Sequence, residues 1–87
     1  TPAHIDLDKL REELLAAHGV VGVHDLHVWT ITSGMYALSC HVVVHPDQYT
    51  VAKLEEIRRL LHHHSEILHQ TVQLETEELA DEEAIHL

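Results

Sequence analysis

The chain has 87 residues, enough for one compact domain whose core leaves little margin. Apolar residues make up 45%, which excludes wholesale disorder, but only Trp29, Tyr36 and Tyr49 are aromatic, so the expected core is aliphatic. A net charge of −10, with five Lys and Arg in all, excludes nucleic acid as a partner and excludes a polybasic grip on lipid headgroups.

In chain order, Ile5 to His18 repeats Leu7, Leu10, Leu14 and Ala17 at helical spacing, with Asp6 placed to cap it and Gly19 to end it. Val20 to Thr32 is rich in β-branched residues and predicts a first strand. Ser33-Gly34 is a turn signal, so Met35 to His45 predicts a second strand in a hairpin with the first, stopped by Pro46 and Asp47. Thr50 to Leu61 predicts a second helix with Val51, Leu54, Ile57 and Leu61 on its apolar stripe and Lys53 among the polar residues around it. Ile67 to Glu75 predicts a third strand, reached by a crossover through that helix. The residues from Thr76 to Leu87 read as a solvated acidic tail.

The order α-β-β-α-β predicts an α+β two-layer sandwich, ferredoxin-like but one strand short, with two helices on one face of a three-stranded mixed sheet. One domain spanning 1–87 is expected, with its ordered core over about 5–76. The other sheet face is left open for a partner or a site.

Histidine is the compositional anomaly, with 11 residues. Imidazole is the commonest protein metal ligand, so a His-rich, acid-rich chain leans towards divalent transition metals without naming one. The single cysteine, Cys40, allows no disulfide within the chain and no Cys-pair zinc ribbon, and its apolar neighbours predict a buried thiol. No run approaches the ~20 apolar residues that span a bilayer, so the chain is expected to be soluble and not inserted in a membrane. It opens at Thr1 rather than Met, as a piece of a longer protein would. No Ser/His/Asp or Cys/His grouping and no Gly-rich phosphate loop argues for an enzyme.

Strand side chains alternate faces, which sorts the histidines. Leu38, Cys40, Val42 and Val44 predict the core face of the second strand, leaving His41, Val43 and His45 on the open face. In the third strand Leu68, Val72 and Leu74 predict the core face, leaving His69, Thr71, Gln73 and Glu75 outside. In the first strand Leu26 and Val28 facing the core would send Asp25, His27 and Trp29 outwards. Parity therefore gathers His27, not His24, with His41 and His69. A β-bulge or a late strand start near Gly22 to Asp25 would free His24 from that rule, and parity alone leaves the choice open. Trp29 and Val43 on the open face suggest a partner surface as much as a site. His62, His63 and His64 follow a helix C-terminus, where a solvated, partly charged His is tolerated.

Three motifs carry a family resemblance. The run Gly22-Val23-His24-Asp25-Leu26-His27-Val28-Trp29-Thr30-Ile31-Thr32-Ser33-Gly34 resembles the strand that opens the cytosolic C-terminal domain of cation diffusion facilitators. Ala37-Leu38-Ser39-Cys40-His41-Val42-Val43-Val44 resembles the family's next strand, and His69-Gln70-Thr71-Val72-Gln73-Leu74-Glu75 its closing one. The resemblance covers the chain up to about Thr76. It implies a metallochaperone-like domain on the cytoplasmic face of the cell (inner) membrane, following a transmembrane part absent from this chain. It implies a homodimer that binds Zn²⁺ or a related divalent ion and so steadies the active transporter.

By position the resemblance makes His24, His41, His69 and Glu75 the expected metal ligands, with His45 and Asp47 near a variable second site and His27 as the ligand parity favours. Two departures stand out. Thr71 occupies a position where some relatives carry a carboxylate, and the second helix holds no ligand His, so a copied binuclear site is not expected. Two other readings remain beside this one: a free-standing metal carrier or sensor of the same fold, and a metal-independent α+β interaction module.

Overall fold

The structure is a computed structural model that describes residues 5–78. Helix α1 runs over Leu7–Leu15, and the Asp6 carboxylate accepts from the Lys9 N–H at 3.1 Å. It is shorter than predicted: its C-cap is Ala16, and a turn leads to Gly19 at φ +82°. Gly19 is needed there twice over. The left-handed backbone disfavours a side chain, and a Cβ would stand 2.5 Å from Gln48 Cγ.

Strand β1 (Val20–Thr32) and strand β2 (Met35–Val44) pair antiparallel across the Ser33-Gly34 turn, with Gly34 at φ +75°. A 3-10 turn at Pro46–Gln48 follows, and its neighbour His45 donates its N–H to the Gly19 carbonyl at 3.0 Å. Helix α2 (Val51–His62) starts at Thr50, whose side chain accepts from the Lys53 N–H. Strand β3 (Ile67–Glu75) then pairs parallel with β2, giving the sheet order β1-β2-β3. The tail prediction lies mostly outside the described residues. Glu77 and Glu78 have helical backbone.

Both helices lie on one face of this mixed sheet, as the alternation predicts. Leu10 and Leu14 of α1 and Ile57 and Leu61 of α2 pack on Leu38, Cys40, Val42 and Val44 of β2, all buried. Leu26 and Val28 of β1 join them.

Two details differ from the sequence reading. Leu68 is exposed rather than in the core, because β3 takes an extra residue where Tyr36 pairs with Ile67 and Ala37 with His69. The slip hands the core position to Ile67. On α2, Val51 is exposed and Lys53 is the buried residue: its Nζ donates to the His18 carbonyl at 2.7 Å and to Glu56 Oε1 at 3.0 Å. Burying an ammonium requires such partners, and the carbonyl just beyond α1 supplies one.

Candidate metal centre

The site begins with a bulge in β1. His24 pairs with His41, but the next pairing is His27 with Ser39. Three steps along β1 thus match two along β2, and the extra residue is Asp25, at φ +51°. Among the described residues it is the one non-glycine with positive φ. A short polar side chain tolerates that backbone better than most. The bulge resets the alternation. Leu26 and Val28 keep facing the core, while His24, which strict parity would have put inside, comes out beside His41.

β3 supplies the third group. Glu75 pairs with Val43, so its carboxylate leaves the same face one row from His41. Its side chain is fully buried, although α1 and α2 both lie on the other face. Three side chains hold the carboxylate. Glu75 Oε1 lies 2.6 Å from His24 Nε2, Oε2 lies 2.9 Å from His41 Nδ1, and Gln73 Nε2 donates to Oε2 at 2.8 Å. The two imidazoles meet edge to face, ring centres 4.7 Å apart. One donor atom from each of His24, His41 and Glu75 falls within 4.8 Å of the others. Asp25 stands at the rim, with Oδ2 3.1 Å from His24 Nδ1 and 3.9 Å from His41 Nδ1.

The charges here favour a cation. Burial by itself would lower the His24 pKa, but the Glu75 hydrogen bond and charge, followed by those of Asp25, more than offset it and raise the value above 6.5. Two carboxylates thus make the cluster a place where positive charge is welcome, whether it arrives as a proton or as a metal ion. Two imidazole nitrogens and a carboxylate oxygen are a donor set that suits Zn²⁺ and its first-row neighbours. Cys40 adds nothing to it. Burial pushes its thiol up to about 11, and its side chain points to the core.

The other expected residues lie apart from the cluster. His69 is on the predicted face but opposite Ala37, four residues before Gln73, the residue that pairs with His41. Four residues of strand are about 13 Å, too far to share an ion within one chain. His27 also reaches the open face, yet it is exposed one row away, opposite Ser39. His45 and Asp47 are exposed beside the 3-10 turn. His64 meets Glu13 at 2.8 Å on the helix side, and His62 and His63 line a cavity with Arg58, Arg59 and Gln70. The sequence reading gives Asp25 and Gln73 no role. The one available signal is a His-Asp pair at the point where parity and motif disagree.

A three-stranded sheet with α1 and α2 on one face and a His-His-Glu cluster on the other defines a ferredoxin-like α+β domain with groups suited to a cation on the face away from those helices. No helix among the described residues is long and apolar enough to cross a membrane. Residues 2–77 match the family described as "Cation efflux protein, cytoplasmic domain". The chain belongs to that family, the cation diffusion facilitators, as the three motifs predict.

Its relatives agree. It is 45% identical over 80 residues to the cadmium, cobalt and zinc/H(+)-K(+) antiporter of Bacillus subtilis, covering 88% of this chain and 25% of that protein. It is 44% identical over 67 residues to the vacuolar zinc transporter ZRC1 of Saccharomyces cerevisiae, covering 74% of this chain and 15% of that one. The chain thus spans about a quarter or less of the length of these relatives. Among solved structures, the metal-bound C-terminal domain of the CzcD transporter from Cupriavidus metallidurans superposes with a TM-score of 0.72 at 36% identity, over 82% of this chain and 99% of that one. A MamM C-terminal domain superposes at 0.62 with 21% identity, over 82% and 90%, and bears on the fold alone.

Proposed function

We propose that this chain is the metal-binding, dimer-forming regulatory domain of a divalent-cation efflux transporter, with His24, His41 and Glu75 as its ligands. The carrying observation is the convergence of those three groups, from three strands, on a space small enough for one ion. Zn²⁺ is the ion we assign. Two neutral imidazoles and one carboxylate leave a fourth tetrahedral position for water. The names of relatives that carry cadmium, cobalt and zinc, and the metal-bound CzcD domain, support a divalent transition metal. His69 stands outside this ligand set.

The remaining length of the relatives supports a membrane part that belongs to the same protein but lies outside this chain. The domain then sits on the cytoplasmic side of the cell membrane, where the ion reaches it before export. The family's label as a dimer domain supports a homodimer. Exposed Trp29 and Met35 on the sheet face away from α1 and α2 offer apolar surface for it. Binding favours whichever arrangement of two protomers holds the ion better, by the difference in affinity between arrangements.

Zinc calorimetry tests the ligand set. The chain should take up Zn²⁺ saturably, the His24→Ala/His41→Ala variant should not, and His69→Ala should bind as the parent does. Unchanged binding by the double variant would refute the assignment.

A further inference from the structure

The His24 ring is held at both nitrogens. Nε2 faces Glu75 at 2.6 Å and Nδ1 faces Asp25 at 3.1 Å. A neutral imidazole carries one proton, and the nitrogen that binds a metal must be the one without it. Which nitrogen that is depends on the hydrogen bond that the other makes. At His24, Nε2 faces the Glu75 carboxylate, while Nδ1 faces Asp25 at the rim.

We infer that Asp25 is a positioning residue for the site: its carboxylate accepts the Nδ1–H of His24, so that Nε2, which shares a proton with Glu75 in the metal-free chain, is the nitrogen that gives up its proton to the ion. Metal-bound histidines commonly donate their second ring N–H to a carboxylate in this way, which fixes the ring and raises its basicity. The inference rests on the metal reading of the cluster.

The backbone supports it. Asp25 is the extra residue of the β1 bulge and holds a left-handed φ of +51°. In a regular strand residue 25 would project to the face opposite His24. Only the bulge lets two consecutive residues bring their side chains together on the face away from α1 and α2. The same irregularity therefore delivers the ligand and the group that orients it. Asp25 Oδ2 is 3.9 Å from His41 Nδ1, while Glu75 Oε2 lies 2.9 Å from that atom, so the closer rim contact of Asp25 is with His24.

The test compares the parent chain with Asp25→Gly and Asp25→Asn, with Zn²⁺ alone as the probe. Glycine accepts the left-handed backbone but removes the acceptor, and asparagine keeps a neutral acceptor. Affinity is read by competition with a chromophoric chelator. The His24 tautomer is read from ring ¹⁵N shifts of the zinc-bound chain, and folding from thermal melts without metal. Asp25→Gly should melt like the parent and keep the same stoichiometry, yet bind Zn²⁺ about 10- to 100-fold more weakly. Asp25→Asn should recover part of the loss. The parent should carry the His24 proton on Nδ1.

Parental affinity in Asp25→Gly, or a His24 proton on Nε2 in the zinc-bound parent, overturns the inference. So does an asparagine variant as weak as glycine with its tautomer intact, because Asp25 would then be a ligand. Zinc binding that leaves the His24 ring shifts of the parent untouched would instead defeat the metal reading itself, and the inference with it.

Discussion

Glu75 has a fully buried side chain and reaches both His24 and His41. A carboxylate so enclosed is stable only while its oxygens are hydrogen-bonded, here by two ring nitrogens and the Gln73 amide. This coupling predicts two pH slopes of opposite sign. His24 has a folded-state pKa raised above 6.5, because the Glu75 and Asp25 contacts outweigh burial. Its contribution to stability is therefore complete below 6.5 and is lost as pH rises through the raised value. The metal-free chain should melt at progressively lower temperature across that window, and the slope should flatten in His24→Gln. Zn²⁺ affinity should rise across the same window, since the ion must displace the proton. Thermal melts and calorimetry over a pH series check both. A second residue-scale prediction concerns charge. Glu75→Gln keeps the shape but removes the anion, and should weaken Zn²⁺ binding by at least tenfold, equivalent to about 1.4 kcal/mol.

At the scale of elements, sequence pattern locates α1, α2 and the three strands, and the exceptions have local causes. Val51 fits the apolar stripe of α2 but is 76% exposed, whereas Ile57 is fully buried. Ile57→Ala should therefore cost about 2–5 kcal/mol in urea unfolding. Val51→Ala should change stability by no more than about 0.5 kcal/mol. Lys53 has the sequence pattern of polar surface, yet it ties α2 to the end of α1 through the His18 carbonyl. Lys53→Met keeps most of the apolar stem and removes the donor, and should destabilise by about 1–3 kcal/mol. The bulges in β1 and β3 are the least legible features. Each shifts the pairing by one residue, and each reverses the face of the residues on one side of it: Leu68 loses the core and His24 gains the site.

At the scale of the molecule, the sheet face away from α1 and α2 carries both the cluster and exposed apolar groups. Trp29 is 49% exposed and lies opposite Ala37, two rows from the His24–His41 pair. If that surface meets a second copy, Trp29→Glu should shift the chain towards monomer in sedimentation velocity and leave zinc stoichiometry per protomer unchanged. Saturating metal should raise stability through mass action, by about 2.7 kcal/mol at a hundredfold excess over Kd, and EDTA should reverse the gain. A chain whose melting temperature ignored Zn²⁺ would count against metal binding as a folded-state property.

By itself the sequence determined the element order, the aliphatic core, the face on which β2 and β3 carry their polar groups, and the family. Those rest on short-range periodicity and on motifs of adjacent residues. Strand parity pointed to His27 and only the family motifs to His24, because a bulge has no firm signature in one strand alone. The tertiary structure gives the physical reason for His24: the bulge at Asp25 puts it beside His41 and Glu75. The registers of β1 on β2 and of β3 on β2 put His24, His41 and Glu75 together and set His69 about 13 Å away. Register depends on how strands slip past one another, so residues 51 apart, as His24 and Glu75 are, become neighbours only once the sheet has formed.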